Sequence, residues 1–235
     1  MSREVTSRYI DPLTQVWLGA ARRIGLRVVR TPDAYAATDG RGTLAIGTAD
    51  ALDADDSLAQ MIFHELCHSL VEGEDSFQRP DWGMDNTGPD HDWREHACLR
   101  TQYVLTGRHG LRGLFAPTTD FRAFWDALSG DVLADRTDRS VQAAITALRR
   151  AEKPPWAPAL TEALEATATI VQTAATFADD ATLWGKVESR PAAHPTGLPG
   201  GASGTCGTCA WRFDQRGASR CRQAQSKVDP AWPGC

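Results

Sequence analysis

Apolar side chains recur every three to four residues along several stretches of the chain, which is the spacing of a helix with one buried face. The pattern predicts six helices, near residues 12–24, 55–72, 92–106, 119–129, 138–152 and 157–178. Two short apolar runs, LRVVR at 26–30 and TLAIGT at 43–48, predict strands instead. The sequence therefore predicts an α+β fold that is mostly helical, with a small sheet placed early.

The composition of the chain changes near residue 190. Residues 190–204 hold three prolines and four glycines, a content that cannot sustain a helix or a central strand and is typical of a linker. Four of the six cysteines follow in the last 30 residues. We therefore predict a main domain at 1–189, a linker at 190–204 and a small four-cysteine module at 205–235.

Composition and charge narrow the class of protein. A hydrophobic content of 42% and a charged content of 23% are ordinary for a folded domain and exclude wholesale disorder. We expect a cytoplasmic protein without a membrane partner, because no apolar run approaches 18 residues and the first residues lack a signal-peptide core. The net charge is −5, divided into −9 for residues 1–189 and +4 for the rest. A few arginines in so short a tail indicate a solvated face, so a nucleic-acid partner is not expected.

The pattern H-E-x-x-H occurs at His64-Glu65-Leu66-Cys67-His68, inside the helix predicted for 55–72. Residues four apart lie on one face of a helix, so both imidazoles can reach a single zinc ion. Glu65 projects about 100° away around the helix, where it can reach a metal-bound water without being a ligand. The motif predicts a zinc site in which Glu65 is the general base.

The apolar face of this helix is complete without the two histidines. One broad side of the helical wheel carries only apolar residues, namely Leu58, Ala59, Ile62, Phe63, Leu66 and Leu70. His64 and His68 fall on the opposite side, where Met61 and Val71 flank them. This arrangement favours a metal site in a cleft over a pair of surface or core histidines.

The motif resembles the signature of the zincin metallopeptidases, and the resemblance covers about residues 40–107. It implies a zincin-like core, an active-site helix, a second helix with a ligand, and zinc-dependent hydrolysis of peptides or proteins. In that superfamily the strand before the helix is the sheet edge that lines the substrate cleft, and TLAIGT at 43–48 has the matching place. The metzincin branch is excluded, because Val71 and Glu74 stand where its glycine and third histidine belong.

A catalytic zinc needs a third protein ligand and one open position for water. The resemblance to the gluzincin branch implies a glutamate from a second helix, and Glu95 lies 27 residues after His68 on the helix predicted for 92–106. Helix N-termini also attract carboxylates for electrostatic reasons alone. Glu95 is the leading candidate, and three neighbours are alternatives: His91, Asp92 and His96.

Cys67 and Cys98 lie on the two helices that carry the proposed ligands. Both are expected to point away from the ligand direction. Buried free cysteine behaves as a small apolar residue, so core packing is the predicted role of both thiols.

The tail cysteines have the spacing C-x2-C-x11-C-x13-C, at Cys206, Cys209, Cys221 and Cys235. Four thiolates suit an iron–sulfur cluster or a zinc ion. The single C-x2-C followed by isolated cysteines near tryptophan and proline resembles small modules related to high-potential iron–sulfur folds. That resemblance implies an iron–sulfur cluster of the 4Fe-4S type. A structural zinc is the alternative, and two disulfides are a third interpretation.

The sequence supports one leading hypothesis and two others. The leading hypothesis is a zinc-dependent metallopeptidase in which Glu65 acts on a zinc-bound water. The first alternative is a redox-sensing or partner-binding regulatory protein, with a switched or inactive zincin core and a protein partner. In the second alternative the zinc is structural. The peptidase is favoured because Glu65 has no evident role at a structural site.

Overall fold

The computed structural model describes residues 6–84 and 92–186, together with the backbone of three short strands in the tail. Its helices are α1 (Pro12–Ile24), α2 (Leu58–Glu72), α3 (Asp92–Gly107), α4 (Arg122–Ala127), α5 (Arg139–Ala151) and α6 (Ala159–Ala175). All six predicted helices are present, with ends that differ by at most three residues. Helix α2 begins at Leu58 because Ser57 caps it, its hydroxyl accepting a hydrogen bond of 3.1 Å from the Gln60 amide.

The early sheet has three strands, β1 (Arg27–Thr31), β2 (Ala36–Thr38) and β3 (Thr43–Gly47), in the order β1-β3-β2. Strand β3 pairs parallel with β1 and antiparallel with β2. The α+β class and the mostly helical content are therefore confirmed. Strand β2 was not predicted, because three residues are too few to show a periodic pattern.

The expectation that 43–48 forms the edge of the sheet is wrong. Strand β3 lies in the middle, with β1 on one side and β2 on the other. The chain makes a short excursion through β2 before it enters β3, and this inserted strand takes the edge position. The edge strand that lines the cavities beside His64 and His68 is therefore β2, through Ala36.

Helix α2 runs through the centre of the hydrophobic core. It packs against α1, α3 and α5. Three aromatic rings, of Trp17 in α1, Phe63 in α2 and Phe115, lie with their centroids 4.8 to 5.5 Å apart. The indole of Trp17 also donates a hydrogen bond of 3.0 Å to Thr167 in α6. Because neighbours surround α2, its side chains hold fixed directions.

The tail strands β4 (Arg212–Gln215), β5 (Ala218–Cys221) and β6 (Ser226–Lys227) form a second, antiparallel sheet in that order. Cys221 is the last residue of β5, but its side chain lies outside the described residues, as do Cys206, Cys209 and Cys235. The linker 190–204 lies outside them too. The four-cysteine module therefore stays a prediction. Within the described residues, no helix combines the length and the apolar character needed to span a membrane.

Candidate metal centre

Helix α2 presents the two histidines of the motif to the same point. His64 and His68 are one turn apart, and their Nε2 atoms are 3.1 Å from each other. The imidazole planes are nearly perpendicular, at 88°. His68 is buried, whereas His64 is partly accessible from the cleft. Both rings therefore direct one nitrogen to a shared position.

Helix α3 brings Glu95 to that position. Its Oε1 lies 3.3 Å from Nε2 of His64, and its Oε2 lies 3.2 Å from Nε2 of His68. Two ligand atoms that each lie about 2.0–2.1 Å from a tetrahedral zinc are about 3.3–3.4 Å apart. The three side chains thus have the mutual spacing that a single small cation requires, and the cluster can hold a metal ion.

The hydrogen bonds of His64 assign its tautomer. Nδ1 of His64 lies 3.1 Å from Oε1 of Gln102, while the amide nitrogen of Gln102 donates to the carbonyl of Phe115. A carbonyl can only accept, so the side-chain amide of Gln102 must direct its nitrogen to Phe115 and its Oε1 to His64, where Oε1 accepts a hydrogen bond. Nδ1 then carries a proton, and Nε2 is the nitrogen that faces the cluster and is available to a metal ion. This is the tautomer that a metal ligand needs.

The electrostatics of the cluster also favour a cation. Burial alone would lower the pKa of His68, but the adjacent Glu95 carboxylate raises it to about 9. Burial alone would raise the pKa of Glu95, but the charges of His68 and His64 lower it to about 2. A metal ion that binds here at neutral pH must therefore displace a proton from His68.

Glu65 lies beside the cluster without belonging to the ligand triangle. Its Oε2 accepts a hydrogen bond of 2.7 Å from the indole Nε1 of Trp82, and its side chain lines the cleft. Glu65 and Trp82 are both buried. The carboxylate is thus held in one orientation by a side chain from a different segment of the chain, and no other hydrogen bond to it is found among the described residues.

Trp82 is itself positioned by the edge strand. The Thr38 amide donates to Asp81 (3.0 Å), and the Trp82 amide donates to the Thr38 hydroxyl (3.2 Å). Asp81 and Trp82 both have positive φ angles, 47° and 57°, in the left-handed region that non-glycine residues rarely adopt. The two hydrogen bonds to β2 hold this unusual turn and point the indole at Glu65.

Of the three alternative third ligands, the two that the structure describes do not join the cluster. The ring of His96 stacks on Phe124, with centroids 3.8 Å apart. Asp92 lines the cleft but is not part of the group of potential metal ligands. His91 lies outside the described residues.

Cys98 lies closer to the site than expected. Cys67 and Cys98 are buried in the main core, where packing was predicted. The expectation that Cys98 points away from the ligands is wrong, because its sulfur lies 3.8 Å from Nδ1 of His64 and belongs to the potential ligand group. The positions of Glu95, Cys98 and Gln102, three and seven residues apart on α3, bring all three to His64.

Sequence reasoning missed Gln102 and Trp82 as parts of the site. The position of Gln102 seven residues after Glu95 could have indicated a shared helix face, although not the contact with His64. Trp82 gave no local signal, because its contact with Glu65 depends on how the 79–84 turn docks on β2.

Two cavities adjoin the cluster, one on each side. A cavity of about 280 Å³ lies on the His68 side, and one of about 340 Å³ lies on the His64 side. Ala36 of β2, Glu65 and Glu95 line both. The site is therefore a cleft that passes between the edge strand and the proposed ligands.

Comparison of the chain with models of known protein families, with curated proteins and with solved structures gave no match.

Proposed function

We propose that the protein is a zinc-dependent peptidase with a zincin-like core, in which His64, His68 and Glu95 hold the zinc. The observation that carries the proposal is the cluster of three side chains, in which the two Nε2 atoms and the two carboxylate oxygens of Glu95 make contacts of 3.1–3.3 Å, with Glu65 fixed beside it. The two imidazoles and one carboxylate leave a fourth position open, which is the composition of catalytic zinc sites. When bound, the zinc would act as a Lewis acid that activates a water molecule and polarises the peptide carbonyl.

Glu65 is the group that moves protons in the proposed reaction. One oxygen is occupied by Trp82, so the other accepts the proton from the attacking water and then passes it to the leaving amine. Burial of Glu65 keeps the carboxylate away from bulk water. A structural zinc site would need no such group, which favours the peptidase over the structural alternative.

The edge strand offers a backbone contact for an extended substrate. Tyr35 and Asp39 flank β2, and the hydrogen bonds from the Gly47 amide to Tyr35 (2.9 Å) and from the Asp39 amide to Thr43 (3.2 Å) show which peptide groups face β3. By the alternation of an antiparallel ladder, the peptide groups of Ala36 and Thr38 face the other way. Asp81 accepts from the Thr38 amide, so Ala36 is the residue that we expect to pair with the substrate.

The decisive test is the Glu65→Gln variant together with zinc analysis. The variant should bind zinc as the wild type does, because Glu65 is not a ligand and glutamine can still accept from Trp82. Its cleavage of a peptide mixture should fall by roughly a factor of 10²–10⁴. The exposed Glu74→Gln substitution is the matched control and should change neither property. Equal cleavage by Glu65→Gln and wild type would contradict the proposed mechanism.

We also propose that Cys206, Cys209, Cys221 and Cys235 hold a second centre, an iron–sulfur cluster of the 4Fe-4S type, with a structural zinc as the alternative. Iron and zinc content and visible absorbance after anaerobic purification distinguish the two. Unchanged iron and zinc in a Cys209→Ser variant would contradict both.

A further inference from the structure

The larger of the two cavities has the chemistry of a pocket for a long basic side chain. It lies on the His64 side of the metal centre and has a volume of about 340 Å³. A large part of its wall is apolar, formed by Met61, Phe115, Ala116, Pro117 and Phe121. Such a wall suits the methylene groups of a long side chain and leaves the end of the chain to be recognised by polar groups.

Gln60 gives this cavity a buried polar group. The residue is only 7% exposed, and its Oε1 has no hydrogen-bond partner within the described residues. A buried acceptor without a donor is costly, and most such groups in folded proteins are paired. Oε1 itself has almost no accessible surface, so the Gln60 amide must turn toward the cavity to accept from an N–H donor of a ligand, and an apolar ligand offers no such donor.

Two carboxylates, Asp56 and Asp120, line the same cavity, and among its described lining residues there is no lysine or arginine. Asp56 is held in place by hydrogen bonds from the hydroxyls of Tyr35 and Thr118 and from the amide of Asp53. Burial, followed by the contact with Asp56, raises the pKa of Tyr35 to about 12, so its hydroxyl remains a donor. A cationic ligand meets opposite charge here, and an anionic ligand meets like charge.

We propose that this cavity is the specificity pocket for a lysine or arginine side chain of the substrate, adjacent to the bond that is cleaved. Gln60 accepts a hydrogen bond from the basic group, and Asp56 and Asp120 supply the opposite charge. His64, Glu65 and Glu95 line the same cavity, so a side chain within it leaves its own backbone beside the metal centre. This inference rests on the proposed peptidase function and names its substrate class.

The first experiment maps cleavage sites without assuming a sequence. Zinc-loaded protein is incubated with a peptide mixture that contains every side chain, with free and with acetylated N-termini, and the products are identified by mass spectrometry. Cleavage next to lysine or arginine, at least about tenfold above leucine or glutamate in both mixtures, is expected. Cleavage next to apolar or acidic residues would overturn the proposal. Cleavage only of peptides with a free N-terminus would overturn it too, because the cavity would then bind the α-amino group of the peptide and not a lysine or arginine side chain.

The second experiment tests the pocket with paired variants. Gln60→Met and Asp120→Asn should each lower kcat/KM for a lysine peptide by about tenfold, the usual scale for one lost hydrogen bond to a charged group. The same variants should leave a matched norleucine peptide within about twofold. Gln15→Met and Asp180→Asn are controls at exposed positions and should leave kcat/KM for both peptides unchanged. Equal losses for both peptides in Gln60→Met would overturn the assignment.

Binding separates a failure of the pocket from a failure of the peptidase. The Glu65→Gln variant is titrated with the lysine and norleucine peptides, and the affinities are read by fluorescence anisotropy. Binding of the lysine peptide at least about fivefold tighter supports the pocket even if no peptide is cleaved, and then only the proposed reaction fails. Equal affinities for the two peptides overturn the pocket whatever the cleavage result.

Discussion

The tautomer of His64 is decided by Gln102, which lies two turns after Glu95 on α3. The side-chain oxygen of Gln102 accepts a hydrogen bond from Nδ1–H of His64, and the Gln102 amide is itself oriented by the Phe115 carbonyl. Outer partners of this kind typically contribute a factor of 10 to 100 to metal affinity. The candidate metal centre therefore extends beyond its three proposed ligands, and we expect its metal affinity to depend on a residue that is not itself a proposed ligand.

Gln102→Leu should weaken zinc binding by roughly 10- to 100-fold, because His64 loses the acceptor that holds its proton on Nδ1. Competition with a chromogenic chelator measures the affinity. Gln142→Leu is the matched control, since the Gln142 amide also donates to a backbone carbonyl (2.9 Å) but lies away from the site. Equal affinities of Gln102→Leu and wild type would show that Gln102 does not support the ligand.

Glu95 should be the residue whose loss removes zinc. Glu95→Ala deletes the carboxylate that contacts both histidines, so we expect little zinc to remain after dialysis. His96→Ala should retain zinc, because the His96 ring stacks on Phe124, and Asp92→Asn should retain it as well. Metal analysis of the three variants checks this. If Glu95→Ala keeps its zinc and His96→Ala or Asp92→Asn loses it, the third ligand is His96 or Asp92 instead.

At the scale of elements, the site depends on the docking of a turn against a strand. Thr38 in β2 holds the 79–84 turn through two hydrogen bonds, and that turn aims Trp82 at Glu65 on α2. Three segments that are distant in the sequence thus fix one carboxylate. This arrangement positions the proposed base before any substrate arrives.

Trp82→Phe should slow peptide cleavage by about tenfold while zinc content stays unchanged, because the hydrogen bond that orients Glu65 is lost and the proposed zinc ligands are untouched. Trp156→Phe is the matched control. The Trp156 indole is also buried and donates a hydrogen bond of 2.8 Å, but to Ser69. Both variants should lose about 1 kcal/mol of unfolding free energy. A similar loss of kcat in the two variants would mean that Trp82 acts only through stability.

At the scale of the whole molecule, the metal centre makes the stability of the zinc-free protein depend on pH. The pKa of His68 is raised from 6.5 to about 9, so its stabilising effect is complete below pH 6.5 and is lost as the pH rises through about 9. The pKa of Glu95 is lowered from 4.5 to about 2, so its effect is complete above pH 4.5 and is lost as the pH falls through about 2.

These two groups should therefore make the zinc-free protein, kept in chelator, most stable between about pH 4.5 and 6.5. Its Tm should fall as the pH is raised toward 9.5. Added zinc should reverse the fall in Tm at alkaline pH, because a smaller fraction of His68 is protonated there and zinc has fewer protons to displace. Thermal unfolding at pH 6.0 and 9.5, with chelator and with zinc, measures both trends. Equal values of Tm at the two pH values in chelator would contradict the coupling.

A chain shortened to end at Lys186 should fold and bind zinc on its own. Among the described residues, Leu183 and Trp184 are the last that pack against the core. All the proposed zinc ligands precede this point. Circular dichroism and zinc content compare the shortened and full chains, and aggregation or loss of zinc in the shortened chain would show that the tail completes the domain.

The helices and the candidate ligands on them could be predicted from the amino-acid sequence. Helix α2 with its apolar face and the four-residue spacing of His64 and His68 are local features, set by the 3.6-residue period. Glu95 followed from the resemblance and from its place on α3. The ends of the helices were predicted to within three residues, because capping residues such as Ser57 act over one turn.

The tertiary structure alone decided which elements surround the site. The place of β2 at the sheet edge, the contacts of Gln102 and Cys98 with His64, and the hydrogen bond from Trp82 to Glu65 join residues 17 to 38 positions apart. No periodic pattern encodes such pairs, because they arise only when whole elements pack against one another. The sequence by itself thus determined the candidate ligands of this protein, whereas packing determined how they are oriented and what shape the cleft beside them has.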